Sequence, residues 1–298
     1  MRTGRRRFLQ SVMAAPLAAA AEAGHSMPRI AIGKHSVSRL IAGGNPMRGF
    51  SHSSLKLSRH MMEYYTAARI AEFLLHCEKY GINTFQSSYS DTVRDGILGA
   101  REKGSRIQFI CLASPRHAPL EKILPLEPIA ICHHGAVTDP AFRKGEAGRV
   151  HDYVKRVHDA GVLAGVSTHN PDNLARMEDA GWETDLYMTC FYYMTRPKQE
   201  LWKLLGGERV LGEVFVASDR DRMTTRIRQV RKPCLAFKIL AAGRLSERKE
   251  SLEKAFRYAY ASIKKTDACI VGMYNYFSDE VAEDAGLARK YAAGPQGT

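Results

Sequence analysis

Short apolar segments of strand length recur along the chain, and longer segments with a helical spacing of apolar residues separate them. The apolar segments that we predict as strands lie at 40–45, 83–88, 108–114, 129–134, 163–169, 186–193, 234–240 and 268–274. The clearest helical patterns between them lie at 61–80, 147–160, 221–232 and 249–265. Helix starts are also predicted at Asp139, Asn170 and Ser218, because each of these side chains can cap a helix that begins directly after it.

Strands that alternate with helices pair in parallel, and eight such units predict an α/β fold, the (β/α)8 TIM barrel. The alternative is a doubly wound open sheet, which would carry a glycine-rich phosphate loop after its first strand. The segment "AGGNPMRG" after the first predicted strand lacks that spacing. The chain of 298 residues shows no linker, so we expect a single barrel domain over residues 24–298.

The N-terminal segment, residues 1–23, has the pattern of an export signal. Arg5, Arg6 and Arg7 form a twin-arginine-like basic head, and the apolar run that follows is shorter than the about 20 residues that span a bilayer. Ala21-Glu22-Ala23 supplies the small residues of a cleavage site. We therefore predict passage through the twin-arginine export machinery to the periplasm or the extracellular space, without a stable membrane anchor. A basic disordered tail is the alternative.

Charge and cysteine content narrow the classes of partner. The formal net charge is +13, but no aromatic-interleaved basic pattern accompanies it, so nucleic acid is not predicted as a partner. Five of the six cysteines lie inside apolar runs without paired short spacing. We predict free buried thiols rather than disulfides.

In a barrel of this class the chemistry lies at the C-terminal ends of the strands. The stretch "GINTFQSSYS" ends such a strand with polar residues and no acid, and Gln86 to Ser88 either bind a ligand or cap the helix that follows. Lys238 is a buried-strand lysine that binds an anion, acts as a nucleophile or base, or extends to the rim. Other strand ends supply candidate substrate-binding residues: Asn45, Ser88, His134, His169 and Tyr192.

His133 and His134 end the fourth predicted strand, and adjacent residues on a strand point to opposite faces. One of the two faces the barrel mouth, and the sequence does not say which. His133, His169 and Cys190 are possible metal ligands, but no HxH or paired spacing supports them, so no metal is predicted.

At these strand ends the chain resembles the aldo-keto reductase superfamily. The similarity lies in "SRLIAGGNP", "GINTFQSSYS", "GVSTHN", "AFKILAAGRL" and "IVGM", over roughly residues 29–290. The resemblance implies a barrel that reduces carbonyl groups with NAD(P)H. It also implies cofactor contacts at Ser167, where the family has its amide-binding serine, at Thr168 in place of an asparagine, and at Gly243 and Gly272.

The catalytic residues of that family match this chain poorly. His133 matches the family histidine, Gln86 stands at the position of the aspartate, and Tyr89 lies close to that of the tyrosine. The family lysine falls at Ser114 or Pro115. Without an acid and a lysine beside it, a phenol with a pKa of about 10 is a poor proton donor at neutral pH.

Three functions therefore remain open. The first is an NAD(P)-dependent oxidoreductase with an altered site, acting on a small carbonyl or sugar substrate. The second is a non-redox enzyme of lyase or isomerase type, acting on a carbohydrate or carboxylate and using His133 and Lys238 as acid and base. The third is a barrel that binds a small molecule without turnover.

Overall fold

Eight parallel strands close into a barrel in the computed structural model, which describes residues 26–293. An antiparallel hairpin of β1 (Arg29–Ile32) and β2 (His35–Ser38) precedes the barrel. The barrel strands are β3 (Leu40–Gly43), β4 (Thr84–Ser88), β5 (Gln108–Ala113), β6 (Ala130–His133), β7 (Leu163–Thr168), β8 (Leu186–Cys190), β9 (Cys234–Phe237) and β10 (Ala268–Gly272). The predicted export signal at 1–23 lies outside the described residues.

The helices lie between successive strands and cover the barrel. They are α1 (Leu55–Tyr64), α2 (Ala67–Lys79), α3 (Asp91–Glu102), α4 (Leu120–Ile123), α5 (Gly135–Arg143), α6 (Ala147–Asp159), α7 (Pro171–Asp179), α8 (Lys198–Leu204), α9 (Asp219–Gln229), α10 (Lys249–Ser262) and α11 (Glu280–Ala292). Short 3₁₀ turns occupy Pro46–Arg48 and Leu124–Leu126. Within residues 26–293, the structure contains no helix with the length and apolar character that a bilayer crossing requires.

The barrel closes where its last strand meets its first. Ile270 and Gly272 of β10 pair in parallel with Ile41 and Gly43 of β3, and each other strand pairs with its neighbours in chain order. This closure confirms the predicted TIM barrel and excludes the open-sheet alternative. All eight predicted strands are present, but several end earlier than predicted: β8 stops at Cys190 and β9 at Phe237, because the backbone turns there toward the loops.

The hairpin β1–β2 was not predicted, and it decides which end of the barrel is open. Ile30, Ile32 and Val37 pack with the side chains that fill the barrel interior, such as Ile110 and Leu235. Apolar residues of the hairpin thus close the N-terminal end of the barrel. The C-terminal end remains available for ligands.

Local capping explains where the helices begin. The segment 61–80, predicted as one helix, is broken at Tyr65–Thr66, and Thr66 caps α2 by accepting a hydrogen bond from the Arg69 amide. Asn170 caps α7 as predicted, through a bond from the Asp172 amide. The predicted start at Asp139 is wrong, because α5 already begins at Gly135 and Asp139 lies inside it.

At Ser218 the prediction holds in part. Helix α9 begins directly after this residue, at Asp219, but the Ser218 side chain makes no capping hydrogen bond. The six cysteines behave as predicted: all are buried free thiols, and no disulfide joins them.

Candidate active site

Strand alternation decides which of the two adjacent histidines faces the mouth. Ala130 and Cys132 of β6 pack inside the barrel, whereas Ile131 packs against the helices. His133 therefore points outward, where its Nδ1 lies 2.8 Å from Oγ1 of Thr138 and its ring meets the Tyr153 ring edge-on at 5.1 Å. This corrects the expected acid–base pair of His133 and Lys238, because the His133 ring lies between the barrel and helix α6.

His134 is the histidine that faces the mouth. Its Nδ1 accepts a hydrogen bond from the Ala136 amide and so caps helix α5. Its ring stacks on His117 with the centroids 4.5 Å apart, and His117 in turn bonds Ser114 at 2.6 Å. Burial and then the neighbouring His117 lower the pKa of His134 to about 4. The ring is therefore neutral near pH 7.

Lys238 is the first residue after β9, and it lies in a relay of three charged or polar side chains. Its Nζ lies 2.7 Å from Nε2 of His52, and Nδ1 of His52 lies 2.8 Å from Oε2 of Glu213. Burial lowers the pKa of Lys238. Lys238 adopts a left-handed backbone conformation with φ 59°, which costs a residue with a Cβ about 1 kcal/mol or more.

The loop after β3 holds His52 against Lys238. Arg244 donates from Nη2 to the backbone oxygen of His52 at 3.0 Å, and its guanidinium stacks over the Phe215 ring at 4.2 Å. Tyr192 is buried and packs edge-on against Phe215 at 5.0 Å, so it supports this wall rather than lining an open surface. Burial and the charge of Lys238 lower the pKa of His52 more than Glu213 raises it.

Asn45 lies at the edge of the same relay. The structure exposes this residue at the end of β3, and its Nδ2 lies 3.4 Å from Nε2 of His52. The side-chain amide of Asn45 could therefore contact both His52 and a ligand bound at the mouth.

A buried carboxylate orients a second histidine at the mouth. Asp139 on α5 accepts a hydrogen bond at 2.9 Å from Nδ1 of His169, together with bonds from Thr168, Asn173 and Thr195. Burial would raise the pKa of Asp139, but the bonds from His169 and the two threonines outweigh it and hold the pKa below its ordinary value. Among the described residues, Nε2 of His169 has no hydrogen-bond partner, and the ring lies edge-on to Phe237 beside Lys238.

The end of β4 presents neutral polar groups. Phe85 packs outward on Phe109, so Gln86 and Ser88 point inward. The side-chain amide of Gln86 makes no hydrogen bond to any group of residues 26–293. Tyr89 lies elsewhere: its hydroxyl donates to Asp91 and accepts from Arg94, both on helix α3. Helix α3 thus engages the phenol that was expected to replace the family's tyrosine. Nor do Gln86 to Ser88 cap that helix, because Ser90 does so.

The residues expected to contact a nicotinamide cofactor fit it only in part. The Ser167 hydroxyl is buried without a hydrogen-bond partner, as an amide-binding group would be. Thr168 faces outward and donates to Asp139, which corrects its expected cofactor contact. Gly243 has φ 89° in the turn after β9, and a Cβ at Gly272 would lie 3.0 Å from Cδ of Pro46. Two glycines and one serine do not supply the proton donor that carbonyl reduction requires.

Residues 26–293 contain no group of three or more His, Cys, Asp or Glu side chains placed to hold a metal ion. The set considered from sequence does not converge, because His133 points outward and His169 points toward the mouth. Burial raises the pKa of Cys190 to about 12, so its thiol is protonated at neutral pH.

The sequence predictions missed His52, Glu213 and Asp139 as site residues. His52 and Glu213 lie on the loops after β3 and β8, within segments that have no strand or helix pattern of their own. Their position in C-terminal loops was the available signal. Asp139 was interpreted as a helix cap, and its role became visible only from its contacts with β7.

Comparison with known proteins defines the fold. No protein-family model matches the chain, and no curated protein matches it. Similar solved structures include apo Gox0644, with 12% identity over 90% of this chain and 94% of that chain and a TM-score of 0.51. A truncated 3-deoxy-D-arabino-heptulosonate 7-phosphate synthase from Thermotoga maritima has 12% identity, 90% coverage of both chains and a TM-score of 0.51.

Aldo-keto reductases are among the further neighbours. The glycerol dehydrogenase AKR11B4 from Gluconobacter oxydans has 10% identity, a TM-score of 0.48, and coverage of 92% of this chain and 98% of that chain. At these identities the similarity extends to the architecture and not to the activity. By its closed ring of parallel strands and by its similarity to the two structures with a TM-score of 0.51, the chain is a TIM barrel.

Proposed function

We propose that this barrel is an enzyme of lyase or isomerase type that binds a small carbonyl compound covalently through Lys238. The observation that carries the proposal is the relay Lys238–His52–Glu213 at the open end of the barrel. An amine needs a nearby base to become a nucleophile, and a base keeps its tautomer when a carboxylate orients it. The relay supplies both.

One resting protonation state satisfies both hydrogen bonds. A protonated Lys238 donates to Nε2 of His52, and Nδ1–H of His52 donates to Glu213. Transfer of the lysine proton to Nε2 leaves a neutral amine and an imidazolium that Glu213 stabilises. Burial favours the neutral amine as well, since it lowers the pKa of Lys238.

The covalent step then balances without a cofactor. The free electron pair of Nζ forms a bond to the carbonyl carbon, the π bond of the carbonyl group breaks toward oxygen, and one proton passes from Nζ to that oxygen, giving a carbinolamine. The hydroxyl group takes the proton held on His52 and leaves as water, and the C–O bond is replaced by a protonated C=N bond to Lys238. The protonated imine can accept an electron pair when an adjacent C–H or C–C bond breaks.

In this proposal His169 acts on that adjacent bond. Its ring lies beside Phe237, the neighbour of Lys238, and Asp139 fixes the tautomer in which Nε2 can accept a proton. An imidazole whose Nε2 is free to accept a proton can act as a general base. We assign His169 as the base and Asp139 as its positioning residue.

Reductive trapping tests the proposal. Cyanoborohydride in the presence of small aldehydes and ketones should fix the imine as a secondary amine on Lys238, which peptide mass spectrometry locates. Lys238→Met should abolish the adduct. Lys232→Met is the matched control, because burial also lowers the pKa of Lys232 but this residue lies before β9, at the closed end. Equal labelling of both lysines, or none, would reject the proposal.

An NAD(P)-dependent oxidoreductase is the second candidate, and the buried, unpartnered hydroxyl of Ser167 favours it. A fluorescence titration with NADPH tests this candidate. Saturable binding that Ser167→Ala weakens would support it, and absence of binding at millimolar NADPH would remove it. We also propose that the protein is exported through the twin-arginine route, as its first residues suggest.

A further inference from the structure

Arg48 is a cation at the mouth without a matching acid. It ends the 3₁₀ turn Pro46–Arg48, directly after β3, on the same loop as His52. Its Nε is buried and makes no hydrogen bond. Among residues 26–293, no carboxylate oxygen lies within 4.0 Å of its guanidinium. A buried guanidinium nitrogen without a hydrogen-bond partner is costly, and a bound anion would supply that partner.

The surroundings of Arg48 are donors and neutral rings rather than acids. β4 lies between β3 and β5 in the barrel, so Gln86 and Ser88 face the mouth between Arg48 and His117. Burial and then the charge of Arg48 lower the pKa of His117. His134 stacks on His117 and completes this side of the mouth.

Three carboxylates at the mouth are already engaged. Glu213 bonds His52, and Asp139 bonds His169. Asp91, beyond the end of β4, pairs with Arg94 at 2.9 Å. None of them offsets the charge of Arg48, and Lys238 and Arg244 add further positive charge to the same end of the barrel.

From this arrangement we infer that Arg48, Gln86, Ser88 and His117 bind an anionic group, a carboxylate or phosphate, of the substrate whose carbonyl reacts with Lys238. The inference rests on the proposed function for the second half of that statement only. A guanidinium binds such oxyanions with two parallel hydrogen bonds, and an amide and a hydroxyl donate to the remaining oxygens. This also explains why the end of β4 carries neutral donors and no acid.

Binding of inorganic phosphate, with acetate as the carboxylate probe, tests the anion site by itself. Isothermal titration should show binding to the wild-type protein, and Arg48→Gln should weaken it about tenfold or more, since a charge-assisted hydrogen bond is lost. The phosphate affinity of Arg48→Lys should lie between those of the wild type and Arg48→Gln, because lysine keeps the positive charge but cannot make two parallel hydrogen bonds. Arg231→Gln, which removes the same charge before β9 at the closed end, should bind as the wild type does.

Matched carbonyl compounds then connect the site to Lys238. Dihydroxyacetone phosphate is compared with dihydroxyacetone, and pyruvate with acetone, in the reductive trapping reaction. Arg48→Gln should slow labelling by the anionic member of a pair about tenfold more than labelling by the neutral member. The pair that responds tells phosphate from carboxylate.

Failure of the two proposals can be told apart. Phosphate binding that depends on Arg48 and persists in Lys238→Met, without any trapped adduct, would reject the Schiff-base function and retain the anion site. Equal phosphate affinity of Arg48→Gln and wild type, or no binding of either anion to the wild type, would overturn the inference whatever the trapping result.

Discussion

Nζ of Lys238 lies 2.7 Å from Nε2 of His52, although 186 residues separate them in the chain. The contact joins the loop after the first barrel strand to the end of the seventh, which are neighbours across β10 only because the barrel closes. Both residues adopt left-handed backbone conformations, with φ 55° at His52 and φ 59° at Lys238. Backbone strain at two residues whose side chains face each other indicates a site held for function rather than for stability.

The relay predicts a graded loss of reactivity. His52→Gln should lower the rate of imine trapping at neutral pH by about 10²-fold, because the proton acceptor of Lys238 is lost. Glu213→Gln should lower it less, about tenfold, since the imidazole remains. Labelling by His52→Gln should recover at higher pH, where the amine loses its proton without help.

His151→Gln is the control for that series. His151 also pairs with a glutamate, Glu183, but it lies on helix α6. Its labelling rate should equal that of the wild type. A His52→Gln rate equal to wild type would show that the relay does not activate Lys238.

Lys238 should cost the fold stability. Lys238→Gly removes both a buried charge and the strain of φ 59°, so the free energy of unfolding should rise by about 1 kcal/mol or more. Lys238→Met removes the charge but keeps a Cβ at the strained position, and its gain should be smaller. Urea unfolding at pH 7 measures both. A less stable Lys238→Gly protein would contradict this prediction.

Acid should destabilise the protein through two buried histidines. Burial lowers the pKa of His133 and of His134 to about 4. The unfolded chain binds these protons near pH 6.5 whereas the folded chain does not until about pH 4, so stability falls as the pH drops through that interval. Each histidine accounts for about 3 kcal/mol at most.

Urea unfolding between pH 7 and pH 4 measures this loss. His134→Asn keeps an acceptor for the cap of α5 and removes the titrating ring, so the loss should become shallower. His133→Asn should have a similar effect. Variants that lose stability as steeply as the wild type would show that these rings do not titrate as described.

Asp139 should contribute to both stability and reactivity. Asp139→Asn replaces one carboxylate oxygen by an amide donor, which then faces the donors that met that oxygen: His169 at Oδ2 or Thr168 at Oδ1. This variant should cost about 2 kcal/mol of unfolding free energy and lower turnover. Thr168→Val removes the hydrogen bond to Asp139 and the bond that the Asn170 amide donates to Oγ1 of Thr168, and should cost about 1 to 3 kcal/mol. An effect of Thr168→Val on NADPH affinity would instead support the cofactor contact that the structure corrects.

Export should depend on the twin-arginine-like head. A variant with Arg5→Lys, Arg6→Lys and Arg7→Lys should accumulate as an unprocessed precursor in the cytoplasm, whereas Arg2→Lys should be processed normally. Cell fractionation and the intact mass of the mature chain measure both results. Wild-type protein that retains residues 1–23 in the cytoplasmic fraction would contradict the proposal.

The strand predictions succeeded because strands of a parallel sheet are buried on both faces and therefore appear in the sequence as short, nearly continuous apolar runs. The hairpin β1–β2 was not predicted because its four-residue strands are too short to show a strand pattern, and only their packing under the barrel shows their role. The break between α1 and α2 was not predicted, because Tyr65 and Thr66 are both tolerated inside helices. The Thr66 side chain instead caps α2, and this cap starts a new helix where the first could have continued.

The amino-acid pattern by itself determined the fold class, the order of the barrel strands, the buried thiols and the presence of Lys238 and several histidines at strand ends. The tertiary structure alone decided which of these meet. Side-chain direction at a strand end depends on register and on where the strand stops, so His134 rather than His133 faces the mouth. The partners of Lys238 come from loops without periodicity, and closure of the barrel brings them together.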